Sequence, residues 1–176
     1  MELLNRLSHY DQRLFLWCAS LSHSAHYAKH LHLAAKVISR SGDGYLQVLL
    51  PLALVAFYGS AAIPLLVTIL VAFTIERALY WLLKNSLKRR RPPAAIPSFT
   101  ALIIASDEFS FPSGHTSAAF LLAIITAAFF PALALPLFIW ASCIAVSRVI
   151  LGVHFPADTV AGICLATLVA SLVLIR

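Results

Sequence analysis

Apolar residues fall in five runs separated by polar or turn-forming breaks, and the first forty residues follow a different pattern. The runs cover about 45–58, 62–83, 113–130, 133–151 and 156–175. The first is short and contains Pro51, and Gly59-Ser-Ala61 makes a tight turn into the second. A proline-rich polar stretch, 84–112, separates the second run from the third, and Pro131 ends the third. Near the N-terminus, Leu3, Leu4, Leu7, Leu14, Phe15 and Leu16 alternate with Arg6, His9, Asp11 and Arg13. A second mixed stretch runs through Lys29, Leu31, Leu33, Lys36, Val37 and Ile38 to a turn at Ser41-Gly-Asp-Gly44. Neither supplies the ~20 apolar residues that a spanning helix needs. Neither resembles a signal peptide, because no clean apolar core precedes a small-residue cleavage site. The pattern predicts an all-α integral membrane protein. About five transmembrane helices form a bundle over 43–176, and interfacial amphipathic helices occupy 1–42. A sixth span within 14–38 would change the count.

Composition supports lipid as the solvent. Of 176 residues, 61% are hydrophobic and 11% charged, and the mean hydropathy is +0.89. Soluble domains are roughly a quarter charged. The net charge of +6 does not point to nucleic acid, because the basic residues sit at the ends of apolar runs, where headgroups or phosphates are met. Three cysteines form no metal-ligand spacing. Cys143 and Cys164 lie inside apolar runs and read as small core residues.

Alternating spans bring the 84–112 loop, the start of the third helix and the junction of the fourth and fifth to one membrane face. Three polar clusters lie there. The first runs from Lys84 to Arg91-Pro92 and, alone, reads equally well as a juxtamembrane headgroup contact. The second is Phe111-Pro112-Ser113-Gly114-His115. Ser113 is a favoured N-cap, so the free N–H groups of Gly114 and His115 would stand at a positive helix end, a ready anion site. The third is Ser147-Arg148 followed by His154 and Asp158. Across a helical turn, His154 and Asp158 share a face. Asp158 could then hold one ring nitrogen and leave the other free. Alternatively, Arg148 snorkels and Asp158 caps a helix. Phosphoryl transfer needs fixed cations and N–H donors around the equatorial oxygens. Lys84, Arg91 and Arg148 supply the cations, Ser113 and Gly114 the neutral donors. Two histidines can divide the nucleophile and acid roles.

These residues resemble the type 2 phosphatidic acid phosphatase superfamily of membrane lipid phosphatases. Its pattern is K-x6-RP, PSGH, then SR-x5-H-x3-D. Lys84, Arg91 and Pro92 match the first block; Pro112, Ser113, Gly114 and His115 the second; Ser147, Arg148, His154 and Asp158 the third. The resemblance implies that His154 forms a phosphohistidine, Asp158 orients it and His115 protonates the leaving oxygen. Lys84, Arg91, Ser113, Gly114 and Arg148 would hold the phosphate, with no metal or other cofactor. It also implies a lipid phosphate or diphosphate substrate in the bilayer, with undecaprenyl diphosphate favoured by the compact layout. Phosphatidylglycerophosphate or phosphatidic acid hydrolysis, lipid phosphotransfer and a non-enzymatic lipid-binding scaffold are the alternatives. Lys88 and Arg89 fall outside the matched positions and are expected to matter little.

Glu76 and Arg77 are charges inside a span, which is costly; a buried pairing with Glu76 or Asp158 accounts for Arg77 better than a direct role in the chemistry. The apolar loop segment 99–105 is either interfacial or packed. With five spans, nearly all the basic residues share the catalytic side and Arg176 lies opposite. Positive-inside bias would put that side in the cytoplasm. Carrier-lipid chemistry instead puts the site on the extracytoplasmic face of the inner membrane, and that is the expectation adopted.

Overall fold

The computed structural model describes residues 2–24 and 26–175; Arg176, invoked in the charge argument, lies outside them. Eight α-helices follow in order: α1 (Glu2–Ser24), α2 (Ala28–Ser41), α3 (Tyr45–Tyr58), α4 (Ile63–Leu87), the single turn α5 (Pro92–Ala95), α6 (Gly114–Phe129), α7 (Ala134–Ile150) and α8 (Pro156–Leu174). Short 3-10 turns, Gly59–Ala62 and Pro131–Leu133, join α3 to α4 and α6 to α7. Gly59 has φ 61, a left-handed value that suits glycine where the chain reverses. The five apolar runs are therefore α3, α4, α6, α7 and α8.

Their lengths differ. Tyr45–Leu87, Pro131–Ile150 and Pro156–Leu174 are long and apolar enough to cross a membrane. The first of these is the α3–α4 pair. At 1.5 Å per residue, the 14-residue α3 extends about 21 Å and the 16-residue α6 about 24 Å, against a hydrocarbon core of about 30 Å. Both are shorter than that core.

Helix α6 is the hub. It packs on α4, α7 and α8, and Ala119, Leu121, Leu122, Ala123 and Ile125 are fully buried. Gly162 of α8 permits its close approach, since a Cβ there would lie 2.7 Å from the Ser113 carbonyl oxygen. Outward faces carry Val67, Val71, Leu168 and Leu172, all exposed, as lipid-facing positions require. Cys143 and Cys164 are also exposed, so they are not core residues. In a bilayer both faces of a span are apolar, and hydrophobicity does not tell core from periphery.

The amphipathic helices cover the polar end of the bundle. Phe15 of α1 stacks edge-on against Phe99 and Phe155, with centroids 4.9 and 5.3 Å away. Helix α2 runs against α7, with Ser39 bonded to Arg148 and Ser41 to Trp140. Segment 99–105 is mainly packing: Ala101, Leu102, Ile103 and Ala105 join a cluster with Ala35, Leu151 and Val153. Ile104 instead stands 98% exposed.

Candidate active site

The C-terminal ends of α4 and α7 meet the N-terminal ends of α3, α6 and α8 around one cavity of about 710 Å³. Lys84, Arg91, Gly114, His115, Arg148 and His154 line it. Asp158 stands behind His154. Ser113 is fully buried, and its hydroxyl pairs with the Thr116 hydroxyl at 2.9 Å. Ser113 holds the N-cap position, but its side chain makes no capping bond. The first amides of α6 lack partners within the helix, and a Cβ on Gly114 would come within 2.9 Å of the Tyr80 ring. Glycine is what lets that ring and the helix end share the cavity wall.

His154 sits between two kinds of charge. Its Nδ1 lies 3.7 Å from Asp158 Oδ2, too far for a hydrogen bond, and has no partner among the described residues. Its Nε2 lies 3.4 Å from Arg91 Nη1. Burial drives its pKa down to about 4, assisted by Arg148 and Arg91 and only partly opposed by Asp158. The imidazole is therefore neutral at pH 7, with a lone pair to offer. Asp158 also accepts the Phe155 N–H at 2.8 Å, so it both caps α8 and faces the histidine. His115 Nε2 pairs with Asp43 Oδ1 at 2.8 Å, which fixes that ring. Arg148 donates to the Ser39 hydroxyl at 2.7 Å, while its buried Nε finds no partner among the described residues. An orphaned guanidinium N–H beside other cations suits an anionic ligand.

Sequence reasoning missed Asp107. Its carboxylate bridges Lys84 and Arg91 and accepts from the Tyr80 hydroxyl at 2.9 Å. Burial raises its pKa, but the Lys84 hydrogen bond and the Arg91 and Lys84 charges outweigh that and hold it at about 2. An anion that took Lys84 and Arg91 as ligands would have to displace this carboxylate from them. Asp107→Asn should therefore tighten inhibition by inorganic phosphate about tenfold, the worth of one charge-assisted contact. A phosphate inhibition constant that stays level or weakens would show that Asp107 does not compete.

Arg89 was also undervalued. It donates to Asp158 Oδ1 at 2.7 Å and to Asp11 Oδ2 at 2.6 Å, and its guanidinium lies 4.4 Å from the Phe155 ring centroid. Asp11 accepts the Ala157 N–H as well, at 3.0 Å, which ties α1 to the start of α8. Removing Arg89 leaves the fully buried Asp158 without its cation, a loss of about 3 kcal/mol. Arg89→Ala should lower the melting temperature in detergent and cut turnover, whereas exposed Lys88→Ala should change neither. Equal behaviour of the two variants would contradict this assignment.

The sequence pattern of the PAP2 superfamily matches residues 61–175. Decaprenylphosphoryl-5-phosphoribose phosphatase of Mycobacterium tuberculosis is 31% identical over 103 residues, 56% of this chain and 54% of that protein. Its counterpart from Mycolicibacterium smegmatis is 38% identical over 84 residues, 46% of this chain and 42% of its own. The match thus spans about half the length of these relatives. Among solved structures, LpxE from Aquifex aeolicus superposes with a TM-score of 0.75 at 26% identity, over 93% of this chain and 94% of its own. A transmembrane PAP2-type phosphatidylglycerolphosphate phosphatase from Bacillus subtilis gives 0.75 at 24% identity, over 96% and 85%. At that identity the likeness concerns the fold alone.

Proposed function

This chain belongs to the PAP2 superfamily, and from that premise we propose that it hydrolyses the terminal phosphate of a polyprenyl diphosphate, undecaprenyl diphosphate being the leading substrate. The observation that carries the reading is the polarity of the cavity. Lys84, Arg91, Arg148 and the two histidines line it together with Val48, Ile69, Leu70 and Phe73. Ile69 and Phe73 lie on α4 well below Lys84, by about 16–22 Å at 1.5 Å per residue. One cavity therefore offers a phosphate site at the polar end and an apolar wall toward the bilayer. Its volume is that of a drug-sized ligand, so a long chain continues into lipid. The names of the mycobacterial relatives favour a second reading, a polyprenyl-linked phosphosugar, which presents the same terminal phosphate and the same tail.

In this mechanism Lys84, Arg91, Arg148 and the first amides of α6 hold the terminal phosphate. Neutral His154 attacks phosphorus, and an N–P bond forms as the bridging P–O bond breaks. His115 delivers a proton to the departing lipid oxygen. Water then attacks the phosphohistidine and returns a proton to His115. The N–P bond breaks, its electron pair stays with His154, and inorganic phosphate leaves. The side-chain cations supply the positive charge that a metal would otherwise bring, so we assign a metal-independent hydrolysis. We read 43–176 as the phosphatase domain and 1–42 as an interfacial segment, with the site facing out of the inner membrane.

Phosphate release from undecaprenyl diphosphate, phosphatidylglycerophosphate and phosphatidic acid in detergent tests the proposal. Release should be fastest from the diphosphate, persist in excess EDTA and be blocked by vanadate. No release from any of the three, or transfer of phosphate to another lipid, would overturn the reading. Complete loss on chelation, restored by a divalent ion, would overturn the metal-free assignment.

A further inference from the structure

The motif residues account for one phosphate, yet a further cation stands in the same cavity. Arg77 lines it, two turns and about 10 Å below Lys84 along α4. The side chain is 47% exposed while its partner Glu76 is wholly buried. The contact is two-pronged: Nε donates to Glu76 Oε2 at 2.5 Å and Nη2 to Oε1 at 2.6 Å. The Ser117 hydroxyl donates to the same carboxylate at 2.5 Å. Glu76 and Ser117 thus grip one edge of the guanidinium. The other edge, Nη1, donates to no group among the described residues. The Tyr80 ring connects this cation to the motif, since its centroid lies 4.5 Å from Arg77 Cζ and 4.7 Å from Lys84 Nζ.

A pair that served packing alone would bury both partners. Here the carboxylate is buried and the guanidinium is left in the cavity. Charges at this depth are costly and mark ligand pathways, and arginine is the side chain suited to planar recognition of phosphate. From the polar end downward the cavity offers the motif cations, then Arg77, then Phe73, Leu70 and Ile69. That is the order of groups along a lipid diphosphate: terminal phosphate, inner phosphate, chain. We propose that Arg77, held by Glu76 and Ser117, binds the tail-proximal phosphate and makes the protein selective for lipids with a second phosphate between the reacting one and the chain. This deepens the function proposed above and rests on it. A phosphodiester at the same place, as in a polyprenyl-linked phosphosugar, has the same chemistry.

The test compares kcat/KM for a polyprenyl diphosphate and for the monophosphate of the same chain length, in wild type and in Arg77→Gln. The inference predicts that the diphosphate-to-monophosphate ratio falls about tenfold or more, the effect of one lost charge-assisted contact. Arg77→Lys, which keeps the charge without the fork, should recover part of it. Where Arg77→Gln alone fails to give monodisperse protein, Glu76→Gln/Arg77→Gln removes both charges and serves the same comparison. A ratio to the monophosphate unchanged from wild type for the diphosphate and for the phosphosugar alike, whether the rates fall equally or not at all, overturns the role of Arg77. A diphosphate-to-phosphosugar comparison in the same variant separates the two sources: the one whose rate falls is the one Arg77 reads. Wild type inactive on every lipid phosphate would instead overturn the proposed function itself.

Discussion

His154→Ala should bring phosphate release down to background, a loss on the order of 10⁴ or more, while inorganic phosphate still binds. In the proposed mechanism the cations and helix-end amides that hold the anion come from α4, α6, α7 and the loop at Arg91; of these Arg91 touches the imidazole, at 3.4 Å, and is held as well by the Val153 carbonyl and Asp107. What disappears is the proposed nucleophile. His154 is suited to that task because burial keeps it neutral, with a pKa of about 4, and because its Nε2 lies beside Arg91 at the cavity wall. The loss should be equally deep on lipid and on p-nitrophenyl phosphate, since both need the same N–P bond. Residual turnover above background on either substrate would mean that water or another side chain attacks phosphorus directly. Loss of inorganic phosphate binding would show a collapsed site rather than a missing nucleophile.

His115→Ala should behave differently, and the difference is diagnostic. An acid that protonates a lipid alkoxide or phosphate leaving group contributes on the order of 10²–10⁴ in rate. A nitrophenolate leaves without a proton, so p-nitrophenyl phosphate should lose far less than the lipid. Asp43, which holds the His115 ring at 2.8 Å, should share part of the effect: Asp43→Asn should lower lipid turnover while sparing the aryl ester. Equal losses on both substrates would place His115 in phosphate binding rather than in proton transfer.

Much of this arrangement was legible in the chain. The helices were readable because apolar runs and their breaks at Gly59, Pro131 and Pro156 coincide with helix ends, whereas three segments among the described residues are long enough to span a membrane. The motif residues were readable because their short spacings place them near helix termini. Their partners were not. Asp107 reaches Lys84 across 23 positions, and Asp11 reaches Arg89 across 78. No periodicity links such pairs; they meet because α1 lies over the start of α8 and because the loop before α6 folds back over α4. Arg89 looked dispensable beside Lys88 and Arg90, since four adjacent basic residues carry no label of which one points inward. Ser113 shows the opposite case. Its position as N-cap follows from sequence, but its hydroxyl turns to Thr116 instead of the helix amides or the cavity. Glu76 and Arg77 were visible as charges within a span. That one is sealed and the other open to the cavity depends on α6 placing Ser117 against the carboxylate.

A covalent phosphate on His154 is what the mechanism stands on, and rapid quench detects it. Purified protein is mixed with a lipid diphosphate carrying radiolabelled terminal phosphate, stopped in alkali within one turnover, and digested for mass spectrometry. The expected result is a protein-bound phosphate that survives alkali, is lost in acid as a P–N bond requires, and maps to His154. Phosphate release with no such adduct, or an acid-stable label on another residue, would contradict it.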